Sequence, residues 1–278
     1  MNVASATVAY AGGAAAHSAE AAERLFPTAR LVALPTFTAV VDAAVAAEVG
    51  YGLLPIESSL VGPIAETHDL LWESPLSIVA ETVIPIRHFL AGRVSLPLDR
   101  VQVVRSHPAA LDQCRKLLAS LPGAEAVASA TTAAAAAEVA ASGHDGEFAI
   151  VSERAARLHG LEIVASDVGD HPEAYTRFVS LALHTRLDGA PGAAWRTAFS
   201  FVTDHRAGAL HRAIGPFAHH GIDLLQLVSR PIPQAPWTYR FDAVLAGHPL
   251  EEPTRTALAE LRREVRRMRV FGSYPAGA

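Results

Sequence analysis

One cysteine, Cys114, is present among 278 residues. A chain with a single thiol can form neither an intrachain disulfide framework nor a cysteine-rich zinc site, which fits a reducing cytosol and leaves Cys114 a helix-packing role. Positive charge is also in short supply. Lys and Arg total 23 against 28 Asp and Glu, a net of −5, and no basic run is interleaved with aromatics, which argues against a nucleic acid partner. An anionic substrate would have to be held by a local arrangement. No stretch of eighteen apolar residues occurs, so no membrane span is predicted. The N-terminus has no basic residue before Arg24, and Ser5, Thr7, Gly12 and Gly13 interrupt its apolar character, so it reads as a strand and loop and not as a signal peptide. The 13 histidines include no His-x-x-x-His pair with a carboxylate beside it. The neighbours His219 and His220 point to different sides of a helix, and no metal site is expected.

What the chain does have is apolar residue for a sizeable core, half of its length, and enough residues for two domains. Residues 7–10 form a short strand candidate. The break at Gly12-Gly13 leads to Ser18, predicted to cap a helix reaching Phe26. A second strand at 31–34 precedes apolar positions at helical spacing from Thr36 to Val49, stopped by Gly50. The extended run 51–56 completes a βαβαβ pattern, which favours a parallel sheet with helices on its faces. Glu57-Ser58-Ser59-Leu60-Val61-Gly62-Pro63 follows at the carboxyl end of that strand, where open α/β sheets bind ligands. Ser58 and Ser59 offer hydroxyls and backbone N–H groups, Gly62 permits close backbone approach, and an ordinary serine-rich turn fits the same residues equally well.

Residues 76–90 look extended and long enough to cross to another lobe. A second α/β unit follows, with strands at 101–104, 124–128 and 148–151. Ser106-His107-Pro108 opens a helix carrying Leu111, Cys114 and Leu117. Ser129, Thr131 and Thr132 put three hydroxyls at another helix start, a plain cap or a carboxylate seat. After the polar turn at 167–173 comes Thr176-Arg177-Phe178, a hydroxyl, a guanidinium and a ring where a loop enters a strand. A return to the first lobe here makes a second crossing and leaves a cleft between lobes, an arrangement suited to small anions and hinge closure. The run 188–192 reads as a linker. Beyond it the pattern is a compact ferredoxin-like βαββαβ, with strands at 197–203, 222–231, 237–246 and 269–274 and helices at 208–219 and 253–268. Leu258, Leu261, Val265 and Met268 are expected to form the buried stripe of the last helix, with Arg262, Arg263, Arg266 and Arg267 on its solvated side.

In order along the chain, AYAGGAAAHSAEAA, LPIESSLVGPIAETHDLL, SHPAALDQC, FAIVSERAARLHGL and TRF resemble motifs of the prephenate dehydratases that carry a C-terminal ACT domain. AGALHRAIGPFAHHGIDLLQLVSRP and WTYRFDAVLAGH are similar to segments of that ACT domain. The resemblance implies an α/β chain with a two-lobed, periplasmic-binding-protein-like catalytic domain over residues 1–187, lobe one about 1–80 and 175–187 and lobe two about 81–174. A ferredoxin-like ACT regulatory domain over 195–275 completes it. It also implies a cytoplasmic, cofactor-free lyase that converts prephenate to phenylpyruvate with loss of CO2 and water in phenylalanine biosynthesis. Thr176 would be the proton donor or hydrogen-bonding group at the leaving hydroxyl. Arg177 would anchor carboxylates or the cleft, Phe178 would be part of the wall, and Ser58, Ser59, Gly62, Ser18 and Thr131 would line the substrate site. Gly208, Ala209 and Leu210 with Ser229, Arg230 and Pro231 would bind phenylalanine between ACT domains, which implies a homodimer or homotetramer under feedback control.

The sequence departs from the family pattern where polar groups are expected. Ala16, followed by His17, stands for Thr or Ser, Ser58 for Asn, Ala174 for Asn, Val228 for Glu and Ala207 for Pro. Each lost hydrogen bond is worth roughly 1 kcal/mol or more. Two further readings accompany the dehydratase: an enzyme that decarboxylates without expelling the hydroxyl or prefers arogenate, and a catalytically silent amino-acid sensor built on the ACT domain.

Overall fold

The computed structural model describes residues 6–121, 123–184, 194–232 and 235–277. The expected linker at 188–192 lies outside the described residues. The chain begins with β1 (Thr7–Ala11), α1 (His17–Leu25), β2 (Arg30–Leu34), α2 (Phe37–Val45) and β3 (Tyr51–Ser58), followed by the two-residue β4 (Gly62–Pro63), α3 (Ala65–Glu73) and β5 (Ser77–Pro85). It continues as β6 (Phe89–Gly92), β7 (Val103–Ser106), α4 (Pro108–Asp112), α5 (Arg115–Ala119), β8 (Glu125–Ala128), α6 (Thr132–Ser142), β9 (Glu147–Val151), α7 (Glu153–Leu158) and β10 (Glu162–Ala165). The last part comprises β11 (Tyr175–Ala182), β12 (Trp195–Val202), α8 (Ala209–His219), β13 (Leu224–Ile232), β14 (Ala235–Ala246), α9 (Thr254–Glu264) and β15 (Arg267–Pro275).

Three sheets result. The first has the order β2-β1-β3-β11-β5, with β4 paired to β3, and the second the order β10-β6-β9-β7-β8. In each, parallel βαβ pairs form one half: β1 runs parallel to β2 and β3, and β7 parallel to β8 and β9. Antiparallel strands close the other half. These two sheets are the two lobes. The helix-spaced residues Val40, Val41, Ala43 and Ala44 of α2 pack with Leu54, Ile56, Val179 and Leu181 in the core of the first lobe. Phe148, Ile150, Leu90, Val104 and Cys114 pack together in the second. Burial pushes the Cys114 thiol up to about 12, so it is an inert packing group.

Because β5 stays in the first sheet to Pro85, the chain crosses at Ile86-Arg87-His88, later than residue 81. The return passes alongside: Ile86 N–H donates to the Ala174 carbonyl at 2.8 Å and Val168 N–H to that of His88 at 2.9 Å. The polar turn also works at a distance. The Asp170 carboxylate accepts from the N–H groups of Arg115 and Lys116, both at 3.0 Å, and so caps α5. One helix predicted from 106 onward is thus two, α4 and α5, parted at Gln113-Cys114.

The third sheet is antiparallel, β13-β14-β12-β15, with α8 and α9 beside each other on one face. This is the ferredoxin-like βαββαβ expected from the sequence. Its last helix ends sooner than the periodicity suggested. Val265 is extended, with φ −122° and ψ 150°, so Arg266 and Arg267 lie past the helix and Met268 belongs to β15. Ser18 likewise does not cap α1. The helix starts one residue earlier, after Ala16, with no side-chain cap. Thr36 and Thr131 do cap theirs, accepting from Ala39 N–H at 3.0 Å and Ala134 N–H at 2.9 Å.

The third sheet lies directly on the first lobe, and one glycine permits it. Gly272 in β15 has φ +153°, and a Cβ there would sit 2.1 Å from the Ile78 carbonyl oxygen of β5. Overpacking of this kind costs about 1–3 kcal/mol before strain is added. Gly272→Ala is expected to lower the unfolding free energy by about 2 kcal/mol or more, measured as a reduced urea midpoint.

Candidate active site

Between the lobes opens a cleft of about 360 Å³, within the size range of small-molecule sites. Two strands of the first lobe build one wall. In the register of β11 and β3, Thr176 is paired with Ser58 and Arg177 with Glu57. Alternation on a strand sends residues i and i+2 to one face, so Thr176 and Phe178 line the cleft together with Ser58. The Ser58 hydroxyl accepts from Leu60 N–H at 3.3 Å. Ser59 fastens the strand ends: its backbone N–H donates to the Tyr175 carbonyl at 2.9 Å and its hydroxyl accepts from Tyr175 N–H at 2.9 Å. Gly62, with φ +85°, turns β4 back to pair with Ser58. Ser59 and Gly62 are not among the residues lining the cleft, nor is Ser18, which is buried on α1.

The same alternation turns Arg177 out of the cleft. Its guanidinium lies on the opposite face, donating to Glu57 at 3.3 Å and to Glu81 at 3.1 Å. The expected carboxylate anchor is therefore an element of the contact with the third sheet. Among the residues on the cleft wall none is Lys or Arg. The second lobe and the crossings bring His88, His107, Gln113, Thr131 and Thr132 to the same cleft. Thr131 spends its oxygen on the cap of α6, and His107 accepts from Ala109 N–H at 3.2 Å in the cap of α4. Pro55, Leu60, Ile64, Ile86, Ala174 and Phe178 supply an apolar surround.

His17 is the residue that sequence reasoning passed over, treated only as the neighbour of Ala16. It lines the cleft, and its Nε2 is buried with no partner among the described residues. Burial, with His88 nearby as a second cause, pulls its pKa down to about 4. It is therefore a neutral imidazole at physiological pH. His88 is held by the Gln113 side-chain oxygen at 2.8 Å from Nε2, while its Nδ1 is buried and unpartnered. Two imidazole nitrogens thus stand ready for a polar ligand in a site otherwise poor in charge. The signal that would have found them was positional: His17 opens the helix that faces the carboxyl end of the parallel strands. No cluster of three or more His, Cys, Asp or Glu fit to hold a metal ion occurs among the described residues.

In the second half of the expected site set, Ala209 and Leu210 border a separate pocket of about 360 Å³ with Trp237 and Tyr239. Gly208, with φ +75°, precedes α8 as its cap. Ser229, Arg230 and Pro231 lie elsewhere on the sheet. Arg230 bridges to Asp69 of α3 at 2.7 Å. Among the described residues, none of Ser229, Arg230 and Pro231 borders the pocket beside Leu210.

The depressed His17 value fixes the sign of one pH effect. The unfolded imidazole takes up a proton near pH 6.5 and the folded one only near 4, so stability is complete above pH 6.5 and falls as pH drops through that window. The loss by pH 4 is up to about 3 kcal/mol. His17→Gln is expected to flatten the dependence of the melting temperature on pH between 6.5 and 4, as followed by thermal denaturation across that range.

Comparison with known proteins agrees with this geometry. The family model described as "Prephenate dehydratase" matches residues 8–186. The prephenate dehydratase of Mycobacteroides abscessus is 38% identical over 234 residues, 84% of this chain and 75% of that protein. The solved prephenate dehydratase of Arthrobacter aurescens, in complex with L-Phe, superposes with a TM-score of 0.88 at 28% identity, covering 97% of this chain and 90% of that one. A structure named GqqA and described as a novel type of quorum quenching acylase superposes with a TM-score of 0.88 at 30% identity, over 97% of this chain and 98% of its own. With nearly all of both lobes inside the matched region and the cleft between them built as described, the chain belongs to the prephenate dehydratase family.

Proposed function

We propose that this protein is a prephenate dehydratase controlled by phenylalanine, acting on prephenate in the cleft between its two lobes. The observation that carries the reading is the placement of Thr176 opposite Ser58 in the strand register, both on one wall of a partly apolar cleft that has no Lys or Arg among its described lining residues. Prephenate takes up one proton and breaks into phenylpyruvate, CO2 and water. The bond from the ring to its carboxylate carbon supplies the electron pair that aromatises the ring as the hydroxyl departs. Departure of CO2 disperses negative charge, so a cation fastened to that carboxylate would stabilise the ground state over the transition state. A partly apolar cleft with no Lys or Arg among its described lining residues avoids this penalty. Thr176 is assigned to the leaving hydroxyl, where a hydrogen bond strengthens as the C–O bond breaks. The unpartnered nitrogens of His17 and His88 are assigned to the polar groups at the other positions of the substrate.

The likeness to the acylase GqqA makes amide hydrolysis the second reading. An acylase needs a nucleophile activated by an adjacent base. Among the described residues no cleft hydroxyl is hydrogen-bonded to an imidazole, and this favours elimination over acyl transfer.

We assign the βαββαβ unit over about 195–275 as an ACT domain, and the two-lobed unit over 1–187 as the catalytic domain. Gly208-Ala209-Leu210 of one copy and Ser229-Arg230-Pro231 of another would complete an amino-acid site, which makes a homodimer or homotetramer the functional form. Leu225, Leu227 and Tyr239, exposed on β13 and β14, are apolar area available for that contact. Feedback then requires phenylalanine to favour one quaternary arrangement over another.

Two results are expected. Purified protein converts prephenate to a product of phenylpyruvate mass with proton uptake, and Thr176→Ala lowers kcat by roughly a hundredfold to a thousandfold, about 2–4 kcal/mol in the barrier, while its melting temperature is retained. A decarboxylated product that keeps the hydroxyl, or release of an acid from an N-acyl substrate with no reaction of prephenate, would sink the assignment. Phenylalanine is expected to slow turnover and raise the melting temperature, and Leu210→Ala to weaken both effects about tenfold. Retention of full sensitivity in that variant would place the effector elsewhere.

A further inference from the structure

The wall that carries Ser58 owes its direction to an irregularity in β3. Thr176 of β11 is paired with Ser58 and Arg177 with Glu57, but Phe178 is paired with Pro55 and Val179 with Leu54. Ile56 is therefore an extra residue with no counterpart on β11. On its other side β11 keeps step with β5 from Tyr175 to Ser180, so the irregularity is a bulge of β3 alone. Pro55 suits it. Proline has no N–H to give to a ladder, and β1 pairs with β3 only as far as Leu53 while β4 pairs only with Glu57 and Ser58.

The consequence is a change of face. In a regular strand alternate residues share a face, so Pro55 would stand with Glu57 and Ile56 with Ser58. Here Pro55 and Ser58 line the cleft, and the adjacent Ile56 and Glu57 both line the space between the first lobe and the third sheet. A slip of one residue exchanges the two faces. Without the bulge the Glu57 carboxylate would enter the cleft and the Ser58 hydroxyl would leave it. Arg177 would then lose one of its two carboxylate partners.

The extra residue is gripped by the segment that follows Ser58. The Thr67 hydroxyl of α3 donates to the Pro55 carbonyl at 2.6 Å, and the Ile64 N–H to the Ile56 carbonyl at 2.9 Å. Thr67 has no exposed surface and Pro55 is buried, so loss of that hydroxyl leaves a buried carbonyl one donor short.

We infer that Thr67 is a positioning residue of the active site: through its bond to Pro55 it holds the bulge that puts Ser58, and not Glu57, on the cleft wall with Thr176. Its effect on turnover rests on the dehydratase reading; its effect on where residue 58 points does not.

Two readouts keep these apart. Cys114 is buried, so a Ser58→Cys chain carries one accessible thiol, and iodoacetamide is the probe of its direction. Alkylation of Ser58→Cys is expected to slow about fivefold or more when Thr67→Val is added, and to keep its rate when Thr67→Ser is added. In the otherwise unaltered chain, Thr67→Val is expected to lower kcat/KM for prephenate by about tenfold or more at a temperature where circular dichroism shows it folded, and Thr67→Ser to retain most of the wild-type value. If Thr67→Val does not fold, Thr67→Ala, which also lacks the donor, is read in the same way. The inference is overturned if alkylation in the folded donor-free variant is unchanged or faster, if that variant keeps the wild-type kcat/KM, or if Thr67→Ser behaves as Thr67→Val does. Failure of the wild-type chain to turn over prephenate would sink the dehydratase reading instead, and the alkylation rates would then decide the inference alone.

Discussion

A carboxylate whose side chain has no exposed surface, Glu81, holds the parts of this protein together. Its oxygens accept from Arg177 of β11 at 3.1 Å, from Arg196 of β12 at 2.5 Å and from the backbone N–H of Gly277 at 2.8 Å. A buried charge without partners would be costly by several kcal/mol. Here the partners come from the first lobe, from the third sheet and from the C-terminal segment, so the charge is stable only when all three are assembled. Glu57 repeats the arrangement nearby, accepting from Arg177 and from Gln226 of β13 at 2.8 Å. Ion pairs that are partly exposed add little to stability, but these fix a register, and the register decides which way Thr176 faces.

β11 is the strand that the two sides share. One face gives Thr176 and Phe178 to the cleft, and the other gives Arg177 to the contact with the third sheet. A shift of the third sheet that disturbed Glu57 or Glu81 would act on Arg177, and Arg177 is one peptide from Thr176. The second anchorage is the group Asp69, Arg230, Arg240 and Asp242, in which Asp69 of α3 accepts from both arginines at 2.7 Å. Arg230 of β13 and Asp69 of α3 thus tie the third sheet to the first lobe by an ion pair within one chain.

The cleft is short of fixed charge, and its chemistry follows from that. Hydroxyls, an amide and the neutral His17 imidazole in a partly apolar surround bind an anion less tightly than arginines would, but they leave a departing carboxylate free to shed its charge. The position of His17 matters in this light. It occupies the stretch where a hydroxyl was expected and brings an unpartnered ring nitrogen to the same space. The departures at Ala16 and Ala174 therefore do not leave the cleft without polar groups.

The amino-acid sequence by itself determined the order of elements and the three sheets, because apolar periodicity is a local property: Val40, Val41 and Ala44 announce a helix, and the alternation around Phe241 announces a half-covered strand. Ordered motifs spread along the chain also pointed to Thr176 and Ser58, which the tertiary structure brings to one wall of the cleft. The direction of Arg177 was legible too, in the period of two that sets it opposite its neighbours, although the tripeptide read as a unit obscured it. Helix ends were less legible. Val265 and Met268 continue the apolar spacing of α9, yet the chain leaves the helix after Glu264 because β15 pairs along β12 from Arg267 onward. Only the tertiary structure decided that His17 and His88 meet in the cleft, that Asp170 caps a helix fifty-odd residues upstream, and that His68 and Asp242, separated by 174 positions, form a buried pair. Contacts of that kind depend on how sheets stack, and no short-range pattern of residues encodes the distance between two sheets.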